Sequence, residues 1–378
     1  MNALVNPTVI RDSVLQEQLN LLASIEPTDV GFLSCYLDLH QGKQKALADF
    51  AAMQEAVRQD LSESERVDFA HALKMTADII ETLPAETRSV AIFCRGILGG
   101  QFFLSLPLAV QMNSHLSFDQ VPDLLPLVNL SLEQGQYLVA TVTQSWMQLL
   151  QVDLGVVSEK SWSTLPRRIE TDEFSYHLSS NSGTGSRRSP LVTQIGLLEQ
   201  SLSSHPDACL VLNCDQFIFS QVRAVLPERF RDRLVTLPQW IDNSDQYQLL
   251  EHSLQAVNMY RLKQAGSMAG QVLGRIGSSG DAVVGIEASL EVLHGGLAKT
   301  LVLVNNPGAD DSAVVPGNPA NAFAEVLRLA IVNHVPVFLL PANHELGRLG
   351  GVGCIISNDV IAAQMAARQY HGPLDLVA

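Results

Sequence analysis

Apolar positions change period several times along the chain, and each change predicts an element. Val9, Leu15, Leu19, Leu21 and Leu22 fall on one broad face of an opening helix. GFLSCYLDL (31–39) then loses the helical period and reads as a buried strand. From Lys43 to about Leu83 the pattern is helical again, rich in Ala, Leu, Glu and Gln, and Pro84 ends it. VAIFC (90–94) and FFLSLPL (102–108) are the next strands, joined by RGILGGQ, whose glycines suit a turn.

A second block starts near Gln134. YLVATVT (137–143) and WMQLLQVD (146–153) read as two tightly joined strands, followed by a polar segment from Ser158 to Pro190. Within it SSNSGTGSRRSP (179–190) has almost no apolar residue and predicts a solvent-exposed loop. A helix through Leu191–Leu202, a strand at ACLVLNC (208–214), a helix through Phe217–Leu226 and a strand near LVTLP (234–238) follow.

The third block starts near Ser244 with a long helix to about Ile276. A helix at Glu287–His294, a strand TLVLV (300–304), a helix at Phe323–His334, a strand VPVFLLP (335–341) and GRLGGVGCII complete it. Asn305–Asn321 reads as a Pro/Gly-rich surface loop. The predicted organisation is α/β, with three consecutive α/β domains over 1–133, 134–243 and 244–378.

Composition narrows what such a chain can do. Hydrophobic residues make up 47% of the 378 and charged residues 17%, which is the balance of a packed globular protein. No apolar run approaches the roughly 18 to 20 residues that span a bilayer. Charges in MNALVNPTVIRDSVLQEQL occupy the place of a signal peptide's apolar stretch, so a cytoplasmic protein is expected. The five cysteines are scattered; Cys35, Cys94, Cys209 and Cys354 lie in or beside apolar runs and read as buried, reduced thiols, with neither a disulfide framework nor a metal site expected. The net charge is −15 and the pI about 5.0, which opposes generic nucleic-acid binding and leaves room only for a local basic patch.

Two C-terminal stretches carry a family resemblance. AVVGIEASLEVLHGGLAKTLVLV (282–304) looks like the helix–strand unit that opens the third domain of archaeal and eukaryotic release factors and Pelota. NHELGRLGGVGCII (343–356) resembles that family's closing signature, here Glu345, Gly347, Gly350, Gly351 and Val352. Paired glycines let the chain turn with positive φ and bring the last strand close to its neighbour. The block sizes and order extend the resemblance over nearly the whole chain. It implies a bacterial release-factor/Pelota-like protein, akin to the hibernation factor Balon group, whose C-terminal domain resembles a ribosomal L7Ae-like α/β fold.

The resemblance also sets expectations for chemistry. A family Gly-Gly-Gln tip acts in the peptidyl-transferase centre, where its glycines allow an unusual backbone. The tripeptide Gly99, Gly100 and Gln101 lies instead in the first block between two strands, and is read as a hairpin turn. The stretch corresponding to the family's loop is His177–Pro190, with Gly183, Gly185, Arg187 and Arg188. Two readings stand for it. Adjacent arginines pair bidentately with phosphates, which makes His177, Gly183, Gly185, Arg187 and Arg188 candidate RNA-binding residues, or the segment is an ordinary solvated loop. The stop-codon tetrapeptide Asn-Ile-Lys-Ser is absent from the first block.

Gly274–Gly280 lacks the Gly-Lys-Ser/Thr ending and preceding strand of a phosphate loop. His294, His334 and His344 are placed at helix ends or turns without metal-ligand spacing. No catalytic residue, cofactor or metal is expected.

The resemblance implies a factor that binds ribosomal RNA at the A site for hibernation or rescue, without hydrolysing peptidyl-tRNA. Its third block would meet a translational GTPase such as elongation factor Tu. Two alternatives belong to other classes. One is a peptidyl-tRNA hydrolase using Gln101. The other is a non-ribosomal interaction protein, favoured by a first block whose carboxylates outnumber Lys and Arg by about two to one.

Overall fold

The computed structural model describes residues 12–84, 87–96, 102–143, 146–164, 190–242, 245–276, 281–305, 319–342 and 344–357. The chain forms two compact units, one built from Met1–Glu133 with Arg261–Ala378 and the other from Gln134–Tyr260. Among the described residues no helix is long and apolar enough to cross a membrane.

In the first unit the N-terminal part contributes α1 (Asp12–Ala23), β1 (Phe32–Asp38), α2 (Lys43–Asp60), α3 (Glu63–Thr82), β2 (Ser89–Arg95), β3 (Phe102–Leu108), β4 (His115–Asp119) and α4 (Leu125–Gln134). Its sheet runs β3-β2-β1-β4, every pair antiparallel. The period of two in β1 divides the side chains between two faces. Leu33, Cys35 and Leu37 join Phe50, Phe69 and Ile80 of α2 and α3 in one core. On the other face Phe32 and Tyr36 contact the ring of Phe93.

Several expectations change here. The helix expected over Lys43–Leu83 is two helices, because Ser62 starts a new one. Its Oγ accepts from the Glu65 amide at 3.4 Å while the Glu65 carboxylate accepts from the Ser62 amide at 2.8 Å. That reciprocal cap satisfies donors that a helix end leaves open. Leu21, expected on the apolar face of the opening helix, is 47% exposed, while Leu15, Leu19 and Leu22 are buried. At 100° per residue, Leu15, Leu19 and Leu22 fall within about 60° of one another, and Leu21 turns away from that face.

The second unit contains β5 (Tyr137–Val142), β6 (Trp146–Asp153), β7 (Val156–Thr164), α5 (Pro190–Ser204), β8 (Cys209–Asn213), α6 (Gln216–Val225), α7 (Glu228–Arg231), β9 (Leu234–Thr236) and the first half of α8 (Gln246–Arg275). The sheet order is β7-β6-β5-β8-β9, with β5, β8 and β9 mutually parallel and β6 antiparallel to both its neighbours. Polar residues from Ser158 onward, expected as loop, are strand as far as Thr164. Pairing with β6 along Trp146–Asp153 supplies the ladder that composition alone did not announce. One face packs on α5 and α6 through Ile195, Leu198, Ile218 and Val222, and the other on α8 through Leu249 and Val257.

The C-terminal part of the first unit adds the second half of α8, then β10 (Ala282–Val284), α9 (Ile286–His294), β11 (Ala298–Val304), α10 (Pro319–Val332), β12 (Val337–Leu340) and β13 (Val352–Ile356). The strand order is β10-β13-β11-β12, with only β11 and β12 parallel. Of the loop expected over Asn305–Asn321, residues 306–318 lie outside the described set, and α10 already begins at Pro319.

All five cysteines are free and buried. Burial pushes the Cys94 and Cys354 thiols up to about 11, so neither is a thiolate at neutral pH.

Candidate functional site

The feature of the second unit that gathers exposed chemistry is one edge of its sheet. The register aligns the strand ends. Thr164 of β7 pairs with Trp146 at the start of β6, Thr141 of β5 with Asn213 at the end of β8, and Leu212 with Thr236 at the end of β9. Parallel strands therefore finish at this edge, and the helices that follow them start there. Ligands of open α/β sheets commonly sit at such carboxyl ends. At the opposite edge Arg233 gathers the carbonyls at the end of α5, bonding Leu202 O at 3.1 Å and His205 O at 3.0 Å. That places the last turn of α5 beside the starts of β8 and β9 and leaves its first turn at the carboxyl edge.

Asn213 organises this edge. It is fully buried, and its Nδ2 donates to Ile241 O at 2.8 Å while its Oδ1 accepts from Ile241 N at 3.0 Å. Both backbone groups of Ile241 are thus held by one side chain, which fixes the segment carrying Trp240. Nδ2 also reaches Thr141 Oγ1 at 3.3 Å, tying in β5. Asp215 caps α6 by accepting from Ile218 N at 2.7 Å, and Asp245 accepts from Gln248 N at 3.0 Å at the start of α8. Both caps place a carboxylate where the helix dipole favours one.

Three aromatic side chains stand out of this edge. Phe217 is 62% exposed in the first turn of α6, Trp240 is 46% exposed after β9, and Tyr247 is 79% exposed in the first turn of α8. Cys214, between Asn213 and Asp215, is buried, and burial with the Asp215 charge pushes its thiol up to about 12. It is no nucleophile at neutral pH. Among the described residues no group of His, Cys, Asp or Glu could hold a metal ion. The edge offers stacking faces and acceptors, which is the equipment of a binding surface.

The RNA-binding residues expected from sequence, His177, Gly183, Gly185, Arg187 and Arg188, lie outside the described residues, as do Gly99, Gly100 and Gln101. Thr164 and Pro190, which bracket the Gly/Arg segment, are described as the last residue of β7 and the first of α5.

The closing-signature residues lie in the first unit. Glu345 is exposed and opens a 3-10 turn over Glu345–Leu349, whose first amides are met by His344 Nδ1 accepting from Leu346 N at 3.2 Å. Gly347 lies within that turn. Gly350 and Gly351 follow with φ of 94° and 71°, a conformation that side chains with a Cβ rarely adopt. A Cβ on Gly350 would stand 3.2 Å from the Gly285 Cα, a tight approach that would push the two backbones apart by a few tenths of an ångström. Val352 then enters β13 between β10 and β11. These residues shape a turn. Sequence reading passed over Asn213, Phe217, Trp240 and Tyr247. A buried Asn ending an apolar strand, with Asp two positions later before a helix, is the signal that points to them.

No family model matches the sequence, and no curated protein matches it. Solved structures are similar at low identity. The archaeal translation termination factor aRF1 shares 12% identity over 92% of this chain and 98% of its own, with a TM-score of 0.29. Archaeoglobus fulgidus Pelota shares 12% over 90% and 92%, with a TM-score of 0.33. Saccharomyces cerevisiae Dom34, a translation termination-like factor in RNA quality control pathways that interacts with Hbs1, shares 12% over 71% and 80%, with a TM-score of 0.40.

Proposed function

We propose that the protein is a cytoplasmic, ribosome-associated translation factor of the release-factor/Pelota type, a bacterial member akin to the Balon group. It binds ribosomal RNA at the A site in hibernation or rescue and does not hydrolyse peptidyl-tRNA. The observation that carries the reading is the common edge of Thr164 and Pro190. The chain leaves and rejoins the middle sheet at the carboxyl edge, with the segment bearing Gly183, Gly185, Arg187 and Arg188 between these two anchors. In a chain of net charge −15, that adjacent arginine pair is suited to phosphate contact. The C-terminal α/β part, L7Ae-like in this reading, meets a translational GTPase such as elongation factor Tu.

Co-sedimentation with ribosomes tests this. Wild-type protein sediments with ribosomes in a salt-sensitive manner, and Arg187→Glu with Arg188→Glu abolishes it. Protein that never co-sediments defeats the reading. In a puromycin-like release assay the wild type gives no release, and Gln101→Ala changes nothing. Release that Gln101→Ala removes would make the protein a hydrolase instead.

A further inference from the structure

We propose that the carboxyl edge of the middle sheet docks a Lys- or Arg-bearing segment of a partner protein, with the cations stacked on Phe217, Trp240 and Tyr247. This inference goes beyond ribosome binding and uses none of the Gly/Arg segment's residues.

Three of the four aromatic side chains that rank as exposed among the described residues belong to this one edge, the fourth being Phe103. Topology brings Phe217 and Tyr247 to this edge from opposite faces of the sheet, with Trp240 on the segment between β9 and α8. Phe217 is two residues past the cap of α6, Trp240 adjoins the Ile241 that Asn213 grips, and Tyr247 is two residues past the cap of α8. Asn213 thus ties the strand that leads to Phe217 to the segment that carries Trp240. The aromatics are held on capped helix ends and a pinned loop, so little ordering remains to be done on binding.

The charge selects the partner. Neither 206–222 nor 234–260, the two stretches that supply these aromatics, contains a Lys or Arg. Helix starts ordinarily attract anions. Here Asp215 and Asp245 already occupy the starts of α6 and α8, so the edge presents carboxylate where a phosphate would otherwise sit. Aromatic faces beside carboxylates attract cations, and guanidinium groups in particular stack on them. Nucleobases would use the same rings, but their phosphates would meet Asp215 and Asp245.

The test is fluorescence anisotropy of the full chain with a short fluorescein-labelled peptide of alternating arginine and glycine. An alternating glutamate–glycine peptide and a labelled oligouridylate serve as comparisons. The arginine peptide binds and the glutamate peptide does not, while any oligouridylate binding, which Arg187 and Arg188 would support, survives loss of the aromatics. Trp240→Ala with Tyr247→Ala weakens binding about tenfold, the loss of two exposed cation–π contacts. Asp215→Asn with Asp245→Asn keeps both caps, since Asn is an equally good cap, yet weakens binding and flattens its salt dependence. The proposal is overturned if the wild type does not bind the arginine peptide, if neither variant pair weakens it, or if oligouridylate is the probe that binds and is lost with the aromatics.

Discussion

Arg328 Nη1 donates to the carbonyl of Ala23 at 3.0 Å, joining α10 to the last residue of α1 across 305 positions of sequence. A helix C-terminus leaves carbonyls without intrahelical donors, and a guanidinium is well shaped to meet one. The same group is oriented by Glu325 one turn earlier, which takes two bonds of 2.7 Å from Nε and Nη2. The Glu325 hydrogen bonds raise the Arg328 pKa, with burial opposing and the Glu325 and Glu26 charges adding. One side chain therefore links both terminal parts of the first unit.

Arg328→Met should destabilise the first unit by about 2 kcal/mol, since a charge-assisted bond to Ala23 is lost and Glu325 loses its partner. Glu325→Gln with Arg328→Met should recover part of that, because no unpaired carboxylate remains. Amide hydrogen exchange checks it. Protection should fall in α1, and equal protection in wild type and variant would mean that the contact holds nothing.

Much of the architecture can be read before any coordinates, because buried strands such as GFLSCYLDL and ACLVLNC carry their apolar runs in plain view. The misses share a physical cause. β4, β7 and β10 are short or polar, and they exist because a neighbour supplies the ladder: β4 pairs with β1, β7 with β6 and β10 with β13. Ser62 was hidden because a break of two residues hardly disturbs a helical period. Arg328–Ala23 and Asn213–Ile241 are contacts of distant residues, and no local pattern announces them. The candidate edge was illegible for the same reason. Phe217, Trp240 and Tyr247 look like ordinary core aromatics until the register puts three strand ends side by side.

Arg233 should be the most sensitive arginine of the second unit. Its Nη1 donates to His205, Pro206 and Ala208 carbonyls and its Nη2 to Leu202, while the guanidinium carbon lies 5.0 Å from the Phe230 ring centroid. Arg233→Ala strands these acceptors and should cost about 3 kcal/mol. Arg233→Lys should restore less than half, because one ammonium cannot span a fork of four carbonyls. Urea denaturation followed by circular dichroism measures both, and a fully rescuing lysine would contradict the multi-carbonyl role.

Stability should depend on His115. Its Nε2 lies 3.0 Å from Asp123 Oδ2, and its ring stacks on Tyr36 at 6.4 Å between centroids. The Asp123 hydrogen bond raises the His115 pKa above the ordinary 6.5, against burial, with the Asp123 and Asp119 charges adding. A folded pKa above the unfolded one means the pair's contribution is complete below about pH 6.5 and is lost as pH rises through the folded value. The pair is half-exposed, so the loss should be at most about 1 kcal/mol. Asp119, raised chiefly by burial, has the same sign in the acid range, where protonation relieves its burial. His115→Gln should flatten the fall that begins as pH rises above about 6.5 in thermal unfolding scans. An unchanged pH profile in that variant would remove His115 as the cause.

Asn213 gives the sharpest test of the carboxyl edge, because its two neighbours in chemistry fail differently. Asn213→Ala leaves the amide and carbonyl of Ile241 without their partner in a buried setting and should cost about 3 kcal/mol. Asn213→Asp keeps an acceptor for Ile241 N but turns the Nδ2 donor into an oxygen facing Ile241 O, and it buries a charge. That variant should be the worse of the two at neutral pH. Lowering the pH protonates the new carboxyl, restores a donor toward Ile241 O and should recover stability, while the alanine variant shows no such gain. In both variants Trp240 loses the clamp on its neighbour, so its fluorescence should become more accessible to acrylamide. If Asn213→Asp matched wild-type stability at neutral pH, the two-way bond to Ile241 would not be what fixes this edge, and the aromatic surface built on it would lose its rigid base.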